Sequence, residues 1–154
     1  MKVCYYEDKE IYENMQSIFL AGPTPRNKNI KGWREEAIKI LDELKFNGIV
    51  YVPQSKFKNF GELVLSYQDT IEWEQNRLNQ ASCIVFWIPR NLENMPAFTT
   101  NIEFGMYYKR KNVFYGRPID APKCKYLDYI YFRDTKIKPF ENLKNLLEKT
   151  IKSI

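Results

Sequence analysis

The stretch Ser82-Cys-Ile-Val-Phe-Trp-Ile88, which Pro89-Arg90 follows at once, is the most apolar run of the 154-residue chain and predicts a buried strand. Three shorter apolar runs also stop at Gly or Pro and predict strands at 17–22, 49–52 and 112–115. A further strand is expected over Tyr126–Phe132. Continuous apolar runs of this kind are typical of parallel strands that are covered on both faces of the sheet.

Apolar residues at helical spacing separate these runs. They predict helices over Trp33–Phe46, about Gly61–Gln80, Thr100–Lys109 and Pro139–Lys152. The alternation predicts an α/β fold, flavodoxin-like or Rossmann-like, with about five parallel strands and helices on both faces. We expect a single domain over residues 1–154, in which residues 1–16 form a short strand and a polar N-terminal arm.

Composition excludes several classes of protein. The chain is 44% hydrophobic and 28% charged, which argues against disorder, and no apolar run reaches the roughly 18 residues that span a bilayer. The N-terminus lacks the apolar core of a signal peptide, so we expect a cytoplasmic protein without membrane partners. The net charge is +5, but Lys and Arg are scattered, which favours a solvated basic surface over a nucleic-acid footprint.

The absence of histidine restricts the chemistry. The chain has no His, which removes His-based triads and His-ligated zinc, and Cys4, Cys83 and Cys124 are too far apart in sequence for a metal motif. We therefore expect no metal and no organic cofactor. Acid–base or nucleophilic chemistry must use carboxylates, Tyr, Lys or thiols.

Ligands of open α/β sheets bind outside the carboxyl ends of the strands. Here those ends carry Gly22-Pro23-Thr24, Pro53-Gln54, Pro89-Arg90 and Gly116-Arg117-Pro118. Gly and Pro also end strands where no ligand binds, so a ligand site and a plain turn both stay open as interpretations of these residues. No G-x-G-x-x-G follows the first strand, and no P-loop motif occurs, which disfavours dinucleotide binding and excludes a Walker-type NTPase.

Two carboxylates are candidates for chemistry. Glu103 completes Thr100-x-x-Glu103, which fits a capping box, but it also falls in the first turn of a helix at the ligand edge, where Gly105 would leave room for close approach. An ionised carboxylate there could attack an electrophilic sugar carbon. Glu74 is either a solvated helix position or a carboxyl that binds a heterocycle or protonates a leaving group. Trp73 beside it could stack on a base or fill the core.

Six blocks of the chain together resemble one family. They are Ser17-Ile-Phe-Leu-Ala-Gly-Pro-Thr-Pro-Arg26, Trp33-Arg-Glu-Glu-Ala37, Trp73-Glu74, Ile84-Val-Phe-Trp-Ile-Pro-Arg90, Met95-Pro-Ala-Phe-Thr-Thr-Asn-Ile-Glu-Phe-Gly105 and Gly116-Arg-Pro118. In this order, from about Ser17 to Tyr129, they are similar to the nucleoside 2-deoxyribosyltransferase-like proteins. The resemblance implies a flavodoxin-like fold and cleavage of an N-glycosidic bond.

The resemblance also implies roles for residues. Glu103 would be the nucleophile that attacks C1′ of a 2′-deoxynucleoside and holds a deoxyribosyl ester, which a second nucleobase then receives. Glu74 would contact the nucleobase, and Gly22 and Pro23 would form part of the pocket. Thr99, Thr100 and Asn101 would contact the 5′ end of the sugar. The resemblance further implies a homo-oligomer in which C-terminal residues of a neighbouring subunit complete the site.

The chain departs from the family pattern at the 5′ contact. Better-known transferases carry an Asp where this chain has Ala97, which leaves the choice between nucleoside and nucleotide open. Arg90 and Arg117 could instead meet a 5′-phosphate. Three alternatives to a transferase remain: an N-glycosidase that gives the sugar to water, a nucleotide-binding protein without turnover, and a nucleic-acid-binding module.

Overall fold

Five parallel strands form the centre of the computed structural model, which describes residues 1–8, 14–27, 29–57 and 65–154. The strands are β1 (Lys2–Cys4), β2 (Ser17–Ala21), β3 (Ile49–Tyr51), β4 (Cys83–Trp87) and β5 (Val113–Gly116). They lie in the order β1-β3-β2-β4-β5, and every neighbouring pair is parallel. Every residue of β2 to β5 is buried, as expected for strands covered on both faces. The predicted α/β flavodoxin-like fold is confirmed.

Five helices cover this sheet in the part of the chain that is described: α1 (Arg34–Glu43), α2 (Tyr67–Gln80), α3 (Phe98–Tyr107), α4 (Lys125–Thr135) and α5 (Leu143–Ile151). One apolar cluster joins α1 and α5 to alternate strand residues such as Leu20 and Val85. The other cluster joins α2, α3 and α4 to the intervening strand residues, such as Phe19 and Phe86, which face the opposite side of the sheet. The sheet therefore separates two cores and leaves its carboxyl edge accessible.

The strand predicted over Tyr126–Phe132 is wrong, because these residues belong to α4. The segment is rich in Tyr, Ile and Phe, which favour strands, but its buried residues Leu127 and Tyr131 are four apart, which is a helical spacing. Tyr126 and Tyr129 are exposed on the other side of the helix. Tertiary packing thus decides the conformation of a segment whose composition alone suggests a strand.

The fifth strand of the sheet is instead β1, at the N-terminus. It pairs with β3 through Lys2 opposite Ile49 and Cys4 opposite Tyr51. The strand expected within residues 1–16 is therefore present, whereas residues 9–13 of the predicted arm lie outside the described residues. The same holds for residues 61–64 of the predicted second helix, and the described helix begins at Tyr67.

Among the described segments, none of the helices combines the length and apolar character needed to cross a bilayer.

Candidate active site

A cleft of about 260 Å³ opens at the carboxyl edge of β2 and β3. Its walls come from residues 22–24 after β2, Pro53 after β3, Glu74 of α2, and residues 96–100 and Glu103 at the start of α3. Ligands of open α/β sheets bind at this edge. The two candidate carboxylates, 29 positions apart in the sequence, thus line one cleft.

Gly22 lies where the chain turns away from β2 into this cleft. Its φ of +154° is one that residues with a side chain rarely adopt, and a Cβ at this position would lie 2.2 Å from the Trp87 carbonyl oxygen and 2.7 Å from the Trp33 ring. The Trp33 indole N–H donates to the carbonyl of Pro23 at 3.1 Å. Close approach of strand, turn and indole therefore requires glycine here.

Arg34 forms the buried floor of the cleft, a position that no local pattern in the sequence indicates. Its guanidinium donates to the carbonyl of Leu20 at 3.0 Å, to the carbonyl of Gly22 at 2.6 Å and to the Thr24 hydroxyl at 2.9 Å. The side chain is 2% exposed. It fixes the turn after β2 and places a positive charge beneath the two carboxylates.

Glu103 is the sixth residue of α3, so it lies in the second turn and not the first. The helix begins at Phe98, its N-cap residue is Ala97 in the left-handed conformation, and no side chain caps it. The capping-box interpretation of Thr100 and Glu103 is therefore wrong. The half-buried Glu103 carboxyl lines the cleft and makes no hydrogen bond within the described part of the chain. It is thus positioned to contact a ligand.

Gly105 does not have the expected role near the cleft. It is exposed, and a Cβ added to it would meet no atom within 4 Å. The buried Phe104 beside it packs against Phe86, Tyr108 and Tyr115, which anchors α3 on the sheet. This anchoring holds the cleft-facing side of the helix in place.

Glu74 is not a solvated helix position, because it is partly buried and lines the cleft. Its carboxylate accepts a short hydrogen bond from the hydroxyl of Tyr6. Tyr6 packs edge-on against Trp73, with ring centroids 5.0 Å apart, and Trp73 also contacts the rings of Phe19 and Tyr51. Trp73 therefore belongs to the core beneath the cleft and does not line it. Sequence reasoning missed Tyr6, because only the path of the chain after β1 brings it to Glu74.

Burial changes the ionisation of both carboxyls. The pKa of Glu103 is raised to about 8, mainly by burial and also by the nearby Glu74, while Arg34 opposes the rise. Burial also raises the pKa of Glu74, but the hydrogen bond from Tyr6 and the charge of Arg34 lower it. Near neutral pH Glu103 therefore holds a proton. A carboxyl whose pKa is raised by burial in a cleft is typical of acid–base and nucleophilic sites.

The raised pKa of Glu103 predicts a pH-dependent cost in stability. The folded-state pKa of about 8 exceeds the ordinary value of 4.5, so stability is full at low pH and is lost as the pH rises through this window. Glu103→Gln removes this loss and should stabilise the protein above pH 8. The whole shift corresponds to about 5 kcal/mol; allowing for the partial exposure of the carboxyl, we expect about 2 kcal/mol, or roughly 5 °C in Tm, with no gain near pH 4.5. Thermal unfolding of the wild type and of Glu103→Gln, near pH 4.5 and above pH 8, measures this difference in Tm. A difference in Tm that is the same at both pH values would contradict the raised pKa of Glu103.

Other predicted site residues divide into two groups. Thr99 and Thr100 line the cleft, whereas Arg90 and Asn101 do not. Arg90 is 7% exposed, and its guanidinium donates to the Asn101 side chain and to the carbonyl of Lys123 at 2.6 Å. The pair therefore ties the start of α3 to the segment before α4.

Arg117 also lies away from the cleft. Its guanidinium forms a two-pronged ion pair with Asp128, with Nη2 2.7 Å and Nε 3.1 Å from Oδ2. The arginines that line the cleft are Arg26 and Arg34. Across the described residues, no three His, Cys, Asp or Glu side chains lie close enough to hold a metal ion.

Fold and site together define a class: α/β proteins with a cleft at the carboxyl edge of a parallel sheet, here with two carboxyls facing the cleft. Residues 15–119, more than half of the chain, match the family model described as nucleoside 2-deoxyribosyltransferase like, and the chain belongs to this family. A search among curated proteins found no match.

Proposed function

We propose that the protein cleaves the N-glycosidic bond of a 2′-deoxynucleoside and transfers the 2-deoxyribosyl group to another nucleobase. The observation that carries this proposal is the carboxyl of Glu103, which lines the cleft without a hydrogen-bond partner among the described residues and faces the same space as Glu74. Membership of the family supports a nucleoside as substrate.

The reaction proceeds in two displacements at C1′. The Glu103 carboxylate forms a bond to C1′, the bond from C1′ to the base nitrogen breaks, and the departing base takes up a proton. A second nucleobase then attacks C1′ of the ester, loses a proton, and releases the Glu103 carboxylate. Two inversions give overall retention. Hydrolysis differs only in that water attacks the ester.

Proton placement gives Glu74 its role. The nucleophile must be ionised, yet the pKa of Glu103 is raised to about 8, so its proton must pass to Glu74 or to the leaving base before attack is complete. Glu74 can then hydrogen-bond the heterocycle and supply the proton that the departing base needs. The Tyr6 hydroxyl, which donates to Glu74, holds that carboxyl in place.

Glu74→Gln should lower kcat/KM for base release about 100-fold and change the order of preference among bases, because an amide cannot donate the same proton. Glu72→Gln is the matched control, since Glu72 lies on the same helix and is exposed. Steady-state kinetics over a series of 2′-deoxynucleosides measure both variants. An unchanged rate and an unchanged base order in Glu74→Gln would reject this role.

A second copy of the chain is proposed to cover the exposed side of α3. Phe98, Ile102 and Met106, each four residues apart, are 67%, 66% and 58% exposed, and Phe98 also lines the cleft. Such an apolar stripe is typical of an interface, which supports the homo-oligomer that the resemblance implies. Light scattering that gives the mass of a single 18.5 kDa chain would contradict it.

Base exchange tests the proposed function. The protein is incubated with one 2′-deoxynucleoside and a different free base, and the products are separated by chromatography with mass detection. A new 2′-deoxynucleoside supports transfer. Free base and free sugar without exchange would make the protein a hydrolase, and no product from any substrate would favour a binding protein.

A further inference from the structure

We propose that the N-terminal segment, residues 1–8, forms part of the active site and that Tyr6 is a positioning residue, which holds the Glu74 carboxyl against the nucleobase. This inference rests on the proposed function and adds to it a residue from outside the family match, which begins at residue 15. Tyr6 does not line the cleft itself, so it acts through Glu74.

The chain after β1 runs beside the chain after β3. Parallel pairing of these strands places Cys4 opposite Tyr51. The Val52 backbone N–H then donates to the carbonyl of Cys4 at 2.9 Å. The Tyr6 backbone N–H donates to the carbonyl of Gln54 at 3.3 Å. Because parallel strands end at the same edge of a sheet, this path carries Tyr6 to the carboxyl edge, where the cleft opens.

Side chains hold the same segment in place just beyond Tyr6. The Ser55 hydroxyl donates a short hydrogen bond to the Glu7 carboxylate. The Lys56 ammonium lies 3.0 Å from the Asp8 carboxylate. Tyr6 is therefore held on both sides, by the strand pairing before it and by these two contacts after it, which limits the movement of its backbone.

The ring and the hydroxyl of Tyr6 have separate contacts. The ring packs edge-on against Trp73, the neighbour of Glu74 on α2, with ring centroids 5.0 Å apart. The hydroxyl donates a short hydrogen bond to Oε1 of Glu74. A hydrogen bond to a carboxylate is strong, so it fixes this oxygen. Oε2 of Glu74 makes no hydrogen bond to the described residues, which leaves it for a ligand in the cleft.

Titratable and charged groups from three other elements surround Glu74. Arg34 of α1 and Glu103 of α3 line the same cleft, and Tyr6 comes from the segment after β1. The hydrogen bond from Tyr6 and the charge of Arg34 both lower the pKa of Glu74 against the effect of burial. Burial and the Glu74 charge raise the pKa of Tyr6, so its hydroxyl keeps its proton and remains a donor. Loss of this hydroxyl should therefore raise the pKa of Glu74 and free its carboxyl to rotate.

The test is a double-mutant cycle on kcat/KM for base release, with Tyr6→Phe, Glu74→Ala and the two combined. Tyr6→Phe keeps the ring against Trp73 and removes only the hydroxyl. We expect it to lower kcat/KM about tenfold when Glu74 is present and less than about twofold in Glu74→Ala, because the hydroxyl acts through that carboxyl. A fall of the same size in both backgrounds would show that Tyr6 only supports the fold, and would overturn the inference.

A spectroscopic readout follows the carboxyl itself. In protein labelled with ¹³C at the Glu carboxyl carbons, the Glu74 signal, assigned by its loss in Glu74→Ala, should titrate at higher pH in Tyr6→Phe than in the wild type. Tyr67→Phe is the matched control, since it removes an exposed hydroxyl from the helix that carries Glu74. It should leave this titration and kcat/KM unchanged. A Glu74 titration that Tyr6→Phe does not move would overturn the inference.

Binding of free nucleobases separates this inference from the proposed function, because it involves neither sugar nor turnover. Each protein of the cycle is titrated calorimetrically with adenine, hypoxanthine, cytosine and thymine. The base that the wild type binds best should bind several-fold more weakly to Tyr6→Phe, with no further loss when Tyr6→Phe is added to Glu74→Ala. If the wild type turns over no nucleoside but shows this pattern, the proposed function fails and the role of Tyr6 stands. Equal affinity in the wild type and Tyr6→Phe would overturn that role, and a wild type that neither binds a base nor turns over a nucleoside would overturn both proposals.

Discussion

Glu103→Gln should abolish sugar transfer, with a fall in kcat of roughly a thousandfold or more, because the substituted amide cannot form the ester at C1′. The fold should remain intact, since the Glu103 carboxyl makes no hydrogen bond in the described part of the chain that the substitution would break. Product analysis by chromatography and far-ultraviolet circular dichroism measure the two effects. Glu103→Ala should give the same loss of activity.

Glu72→Gln is the matched control for this result. It makes the same change at an exposed carboxyl of α2 that does not line the cleft. Its activity should equal that of the wild type. Sugar transfer retained by Glu103→Gln would remove Glu103 from the role of nucleophile.

Gly22→Ala should destabilise the protein by about 3 to 5 kcal/mol, because the backbone strain and the steric clash act together. The added Cβ would lie 2.2 Å from a strand carbonyl oxygen and 2.7 Å from the buried Trp33 ring, and neither can move without disturbing β4 or the packing of α1. Urea denaturation measures the change in the free energy of unfolding.

Gly105→Ala provides the contrast. Its added methyl meets no atom of its own chain within 4 Å, and alanine favours helix over glycine, so we expect no loss of stability within the chain and a gain of up to about 1 kcal/mol. A Gly22→Ala protein that is within 1 kcal/mol of the wild type by the same measurement would show that the turn after β2 can relax.

The strands of the central sheet could be predicted because their signal is local. The run ending at Ile88 and the run ending at Gly22 are apolar throughout and stop at Pro or Gly, as buried parallel strands do. The segment over Tyr126–Phe132 carries the same residue types, and only its packing against Tyr115 and Phe104 makes it a helix. β1 is three residues long, too short for a periodic signal.

The site was predictable only where a residue carries its own motif. Glu103 and Glu74 could be found from their neighbours, but the capping-box alternative failed because α3 starts at Phe98, after the left-handed Ala97. Arg34 reaches the cleft from α1, and Tyr6 reaches Glu74 from the segment after β1. No local pattern shows that a guanidinium lies below two carboxyls or that a Tyr hydrogen-bonds Glu74. Such contacts are properties of the tertiary fold.

The mass of the intact protein, taken after rapid acid quenching during turnover, shows whether Glu103 carries the sugar. The protein is mixed with a 2′-deoxynucleoside or its 5′-monophosphate, without a second base, and its mass and peptide map are recorded. We expect an added deoxyribosyl group, with its phosphate where the substrate carried one, on the peptide that contains Glu103, and none in Glu103→Gln. Rapid turnover with no adduct on that peptide, or an adduct that persists in Glu103→Gln, would contradict it.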